Sequence, residues 1–238
     1  MTKVTIINGS PKLEKSNTSF VLVPFVEGME KAGATTELIY SRKLKIQPCI
    51  GCLKCWGETI GECFQEDDMK ELLGKFKETD ILVIATPVFA PLPGELQNMI
   101  NRIVPLVEPI LESRDGRTRA KFHDDVKISK ILGVVIGGWW ELENLDLVVK
   151  VIEELTELFS IELTEAIRRP HAYLLQGDTE LNKEILKKLE KVGFDLIKNG
   201  KMDKKDLEFI RQPLMKQEDY LERSNQNYLK RKEEQWNK

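Results

Sequence analysis

Residues 81–89 read ILVIATPVF and are apolar almost without a break. A run so short and so continuous predicts a strand buried on both faces, at the centre of a parallel sheet. Parallel neighbours need crossover helices, so the rest of the chain is constrained to supply them. It does. Val4, Ile6 and Ile7 form a short apolar run stopped by the turn NGSPK; TTELIYS (35–41) and ILGVVIGG (131–138) read as further strands, and a weaker fifth lies between about Leu163 and Leu175. Helical patterns alternate with them. Ser16, Asn17 and Thr18 are cap candidates for a helix whose apolar residues Phe20, Val23, Val26 and Met29 share a face, with Pro24 expected to kink or shorten it. EDDMKELLGKFKETD carries acidic residues in its first turn. Leu96, Met99, Ile100 and Ile103 form one stripe, and Leu142, Leu145, Val149, Ile152 and Leu155 another; a last helix runs from about Thr179 to Lys198. The expectation is an α/β fold, a doubly wound five-stranded parallel sheet of order 2-1-3-4-5 over residues 1–200. Residues 112–130 read as charged and irregular. Residues 201–238 differ in composition, with ten basic and eight acidic side chains among 38. They are expected to form a helical extension lying on the body or on a neighbouring subunit.

That strand order puts a ligand at the carboxyl ends of the first and third strands. The first of those loops, NGSPKLEKSNTS, has the makings of a phosphate cradle. Gly9 permits a sharp exit, Ser10, Ser16, Thr18 and Ser19 supply hydroxyls, and Asn17 and Thr18 stand where a helix presents free N–H groups. It lacks both the Gly-Lys-Ser/Thr ending of a nucleotide-hydrolysing loop and the G-x-G-x-x-G fingerprint of a dinucleotide site, so a monophosphate fits best. The second loop is stiffened by Pro87, Pro91 and Pro93 and can wall a flat heterocycle with Pro87, Val88, Phe89 and Ala90. After the fourth strand, Gly137 and Gly138 allow close backbone approach, and Trp139 and Trp140 stand as ring partners or as core and interface residues.

All four cysteines fall in CIGCLKCWGETIGEC, between Cys49 and Cys63. The net charge of −3 gives no reason to expect nucleic acid. No apolar run has the length of a membrane span, and MTKVTIING has no signal-peptide architecture, so the expected location is cytoplasmic. In that compartment clustered thiols point to metal or redox chemistry rather than to structural disulfides. Cys49, Cys52 and Cys55, spaced by three, can wrap one iron–sulfur cube, with Cys63 closing the fourth corner; Pro48 stiffens the entry, and Gly51, Gly57 and Gly61 let the backbone bend. Zinc, which more often takes two separated C-x2-C pairs, and redox-active or incidental thiols remain as alternatives. His123 and His171 are isolated, and a surface or satisfied role suits them. Arg114, Arg117, Arg119 and Lys121 read as a solvated loop, or as a site for an acidic donor protein or a nicotinamide dinucleotide phosphate.

The stretches GSPKLEKSNT, ATPVFAPLPGELQNMINR and GVVIGG resemble the three flavin-binding loops of the flavodoxin-like NADPH-dependent FMN reductase superfamily. The pattern C-x2-C-x2-C-x7-C after the second strand is similar to that of its iron–sulfur flavoproteins. The resemblance covers roughly residues 1–200. It implies FMN held by Ser10, Lys12, Ser16, Asn17 and Thr18, its ring against Pro87, Val88, Phe89, Ala90, Gly137 and Gly138. It also implies a [4Fe-4S] cluster on Cys49, Cys52, Cys55 and Cys63, in a cysteine loop over 48–64. The implied function is electron transfer between a one-electron donor such as ferredoxin and a small-molecule acceptor, in a homodimer or homotetramer. No side chain is required as acid or base. The alternatives are an NAD(P)H-dependent FMN or quinone reductase without a cluster, and a non-catalytic redox sensor or electron carrier. Two features depart from the family: Phe89 stands where the aromatic is often Tyr, and the charged tail is longer.

Overall fold

A computed structural model describes residues 1–236. Strand β1 (Lys3–Asn8) leads through helix α1 (Asn17–Lys31) to β2 (Thr35–Tyr40). The cysteine segment follows, then α2 (Met69–Lys77), β3 (Ile81–Pro87) and α3 (Gly94–Asn101). A hairpin, β4 (Glu112–Arg114) and β5 (Arg117–Arg119), precedes β6 (Lys130–Ile136), α4 (Asp146–Leu158), β7 (Glu162–Leu163) and β8 (Ile167–Arg169). Helices α5 (Glu180–Asn199), α6 (Lys204–Arg211) and α7 (Gln217–Trp236) complete the described chain; the last two residues of the expected extension lie outside it.

The main sheet is parallel, in the order β2-β1-β3-β6, and both β7 and β8 pair with β6 on its far side. This is the expected flavodoxin-like arrangement, with the fifth strand broken in two. Strand alternation divides the core between two faces. Val83, Leu132, Val134 and Ile6 point to the side covered by α1, α5 and α6, whereas Ile7, Leu82, Ile84 and Val135 point to the side of α2, α3 and α4. All are within 5% of full burial, and each such aliphatic stabilises the fold by about 1.5–3 kcal/mol before entropy is counted. That two-sided burial is why residues 81–86 carry hardly a polar atom.

Three expectations are corrected. Helix α1 is not shortened at Pro24 and runs as one element from Asn17 to Lys31. Its buried face is Val21, Leu22, Phe25 and Met29, while Val23 is 56% exposed. The face is displaced because α1 packs on α5 as well as on the sheet. Gly28 lies against the Glu190 carbonyl and Gly193 against that of Phe25, so close that an added Cβ would stand 1.9 and 2.1 Å from those oxygens. The third correction concerns the charged stretch. Asp115 and Gly116 both take positive φ and turn the β4–β5 hairpin. There Arg117 pairs with Glu154 and Glu157 of α4, and Lys121 with Glu108 and Asp124. These cations are paired within the chain rather than grouped as an anion site.

Helix α6 buries Leu207 and Ile210 in the same core cluster as α1 and α5. The chain beyond it is tied to the loop after β6 and to the end of β8. Arg169, fully buried, donates from Nε to the Pro170 carbonyl, from Nη1 to that of Ile210, and from Nη2 to that of Gln212 at 2.8 Å. His171 Nε2 accepts the Leu214 N–H at 3.0 Å, Trp140 Nε1 donates to the Met215 carbonyl at 2.9 Å, and the Tyr220 hydroxyl donates to the Gly138 carbonyl at 2.9 Å.

Candidate functional site

Adjacent register fixes the first part of the site. Asn8 is opposite Ala85, and Pro87 is opposite Ile136, so the loops leaving β1, β3 and β6 stand side by side at the carboxyl edge. Three strands at about 4.8 Å spacing span roughly 10 Å, the long dimension of a three-ring heteroaromatic.

The β1 loop is organised from within. Gly9 donates to the Ala85 carbonyl at 2.7 Å, and a Cβ there would come within 2.6 Å of Leu96 Cδ2. Buried Asn8 accepts the Ser10 N–H at 2.9 Å and donates to Ser19 Oγ at 2.9 Å. Ser16 caps α1 by accepting the Ser19 N–H at 3.0 Å, and both hydroxyls donate to the Leu13 carbonyl at 2.7 Å. Ser16 and Ser19 thus shape the cradle and turn their hydroxyls inward. The Phe20 N–H is taken by the Ser16 carbonyl. The N–H groups of Asn17 and Thr18 come before the first intrahelical bond, so they are the donors left for an anion. Ser10, Ser16 and Thr18 are buried, Asn17 is half-buried and accepts from Gln176 Nε2 at 2.8 Å, and Lys12 is exposed.

Beyond β3, Val88 continues the ladder by donating to the Ile136 carbonyl at 2.9 Å. Pro87 and Val88 are half-buried; Phe89 and Ala90 are exposed, next to a cis Ala90–Pro91 bond. The two glycines after β6 are not equivalent. Gly137 donates to the Arg169 carbonyl and accepts from Ala172 N–H, and a side chain there would strike Leu145. Its backbone is spent on the fold. Gly138 faces open space. The two indoles separate as well: Trp140 anchors the C-terminal segment, whereas Trp139 is 70% exposed.

The cysteines occupy a second site, between β2 and α2. A short ladder closes the base of their loop. Lys45 N–H donates to Asp68 at 2.7 Å, Gln47 N–H to Asp67 at 2.9 Å, and Gln65 Nε2 to the Pro48 carbonyl at 3.3 Å. Within it Gly51, Leu53 and Gly61 take positive φ, bends that carry the chain round a centre. Cys49, Cys52, Cys55 and Cys63 are free thiols, and all four line one cavity of about 130 Å³. Its other walls include Ile50, Phe64, Val104, Pro105 and Arg102. Among the described residues no three His, Cys, Asp or Glu are grouped closely enough to hold a metal ion; the thiols are instead spread round the wall of the cavity. Burial pushes the Cys55 thiol up, and the nearby Cys63, Cys52 and Cys49 add to the shift. Four soft donors in an apolar-walled cavity fit an iron–sulfur cluster.

Arg102 was not singled out from the sequence. Its side chain is 1% exposed and grips Asp67, itself 6% exposed, through two bonds of 2.8 and 3.1 Å. Burial works to raise the Asp67 carboxyl, but bonds from Arg102, Gln47 N–H and Met69 N–H outweigh it and hold the group below the usual carboxylate range. The signal available was position: Arg102 follows Met99 by three and so continues the buried stripe of α3. His171 is buried and satisfied at Nε2, and burial next to Arg169 lowers it to about 4.

Residues 2–122 match the NADPH-dependent FMN reductase family. An iron–sulfur flavoprotein of Archaeoglobus fulgidus is 39% identical over 101 residues, 42% of this chain and 48% of the relative. One from Methanocaldococcus jannaschii is 35% identical over 105 residues, 44% and 53% of the two chains. The chain thus spans about half the length of these relatives. Among solved structures, an FMN-dependent NADH-azoreductase from Bacillus anthracis in complex with FMN superposes with a TM-score of 0.61 at 19% identity, over 83% of this chain and all of that one. An NAD(P)H:quinone oxidoreductase from Methanothermobacter marburgensis gives 0.55 at 18%, over 82% and 96%. At such identities the likeness is one of fold. The family match extends over half of the chain, through the β1 loop, the cysteines and the loop after β3, and the protein accordingly belongs to the NADPH-dependent FMN reductase family.

Proposed function

We propose that this chain is an iron–sulfur flavoprotein, an FMN-dependent oxidoreductase that passes electrons between a one-electron donor of the ferredoxin type and a small-molecule acceptor. The observation that carries the reading is the meeting of all four thiols on one cavity, in a chain whose strand-end loops line up for a flavin. The N–H groups of Asn17 and Thr18 bind the FMN phosphate within the pocket of Ser10 and Ser16, with Lys12 adding charge nearby. Pro87, Val88, Phe89 and Ala90 wall one side of the ring, and Gly138, with Gly137 behind it, admits the other. Cys49, Cys52, Cys55 and Cys63 hold a [4Fe-4S] cluster. Bound FMN supplies two-electron chemistry and the cluster one-electron transfer, so the protein's task is to hold, orient and shield them. Phe89, Trp139 and the α7 side chains Leu221, Tyr228 and Leu229 are more than half exposed, which supports a homodimer or homotetramer in which a second copy covers them.

Anaerobic purification followed by iron, sulfide and flavin analysis tests the reading. Four irons, four sulfides and one FMN per chain are expected. Recovery of FAD overturns the flavin assignment. Zinc, or no metal, combined with rapid turnover on NAD(P)H alone supports the plain reductase instead.

A further inference from the structure

Arg102 lines the same cavity as the four cysteines, and only part of it is occupied. Nη1 donates to the Gln47 carbonyl at 2.8 Å and to Asp67 at 2.8 Å, and Nη2 donates to Asp67 at 3.1 Å. Its Nε is buried and has no hydrogen-bond partner among the described residues. Leaving such a donor unmet costs about 1–3 kcal/mol, more when the group is charged. Both Gln47 and Asp67 flank the cysteine segment, so the fork that fixes the arginine also fixes the two ends of the loop. Of the five guanidinium N–H groups two are left over, on Nε and on Nη2, and the Nε–H is held fully desolvated on a side chain that lines the cavity of the thiols.

We propose that Arg102 is a positioning residue whose Nε–H donates to a sulfur of the cluster and whose charge sets the ease of its reduction. The inference rests on the reading of the four cysteines as cluster ligands. Hydrogen bonds and positive charge at the sulfurs stabilise the more negative, reduced form and raise the potential. The Asp67 carboxylate, on the other side of the guanidinium, offsets part of that effect.

Two variants break the same fork, one removing the Nε–H at constant charge and the other removing the counter-charge. Arg102→Lys keeps a cation for Asp67 but removes the Nε–H, because all three lysine donors sit on one terminal nitrogen rather than along a fork. Asp67→Asn keeps the guanidinium and removes its counter-charge. Spectroelectrochemistry on anaerobically purified protein reads both potentials. Arg102→Lys should lower the cluster potential by at least tenfold in the equilibrium constant, 59 mV for one electron. Asp67→Asn should raise it, and the FMN potential should stay put in both. Shifts of the same sign, or none, overturn the proposal and leave Arg102 a loop fastener. If one variant loses iron and sulfide, the sign of the other decides; loss in both also overturns it. Wild-type protein that takes up no iron and sulfide refutes the ligand reading itself, which the wild-type assay reports before any variant is compared.

Discussion

Asn17 occupies the first position of α1, where its N–H comes before the first intrahelical bond and the helix dipole is most positive. A carboxylate is welcome there as far as the fold is concerned but sits against an incoming phosphate. Asn17→Asp should therefore leave the melting temperature within a degree or two and weaken FMN binding roughly tenfold or more, since 1.4 kcal/mol of repulsion suffices. Fluorescence titration of flavin into apoprotein measures it, and unchanged affinity would show that the phosphate lies elsewhere. Thr18→Asp is the poorer test, because Thr18 is 1% exposed and the new charge would be buried. The candidate site was legible in the sequence where its chemistry is local: the hydroxyl-rich loop, the prolines and the cysteine spacing each lie in one continuous stretch. It was not legible where partners are distant. Asn8 reads as a strand's last residue, and nothing near Arg102 announces Asp67, 35 residues away.

At the scale of elements, the contact between α1 and α5 is set by two glycines. Gly28→Ala would place a Cβ 1.9 Å from the Glu190 carbonyl, and because that atom is backbone the helices must part. The variant should lose about 2 kcal/mol, a fall in Tm of roughly 4–8 °C, despite the better helix propensity of alanine. A rise in Tm would mean that the helices are less tightly apposed. The strands and α5 could be read from periodicity because one rule, burial on one or both faces, decides them. The face of α1 could not, since two surfaces compete for it. The hairpin was readable in principle from Asp115-Gly116, a favoured two-residue turn. His171 is one of the attachments of the C-terminal segment. Its folded value of about 4 lies below the ordinary 6.5, so as pH falls through that interval the unfolded chain takes up a proton that the folded chain refuses. Stability should decline on acidification from pH 6.5 to about 4, by up to about 1.4 kcal/mol per pH unit. The Leu214 amide, bonded to Nε2, should lose protection from hydrogen exchange first. His171→Gln, which retains an acceptor and cannot titrate, should flatten the profile; an unchanged slope would assign the effect to other groups.

At the scale of the whole molecule, the two sites hang on different parts of the sheet. The loops proposed to hold flavin leave β1, β3 and β6 at adjacent register positions, whereas the cysteine loop leaves β2, at the sheet edge, and is closed at its base by its own ladder to Asp67 and Asp68. Damage to one should therefore spare the other. Cys52 is exposed and belongs to no core cluster, so Cys52→Ala removes a donor without opening a cavity in the fold. The variant should melt within a degree or two of the wild type, carry at most half the iron, and bind FMN with unchanged affinity. Its flavin should still be reduced by dithionite, because a small reductant needs no relay. On the proposed reading, in which such a donor enters through the cysteine loop and not at the carboxyl edge, reduction by a one-electron protein donor should fall by at least tenfold. Stopped-flow absorbance at the flavin band, with reduced ferredoxin and with dithionite in parallel, separates the two routes. If both rates survive, electrons enter at the flavin and the four thiols serve another purpose. If both collapse and FMN is lost, the two sites are coupled through the sheet, and their apparent independence is wrong.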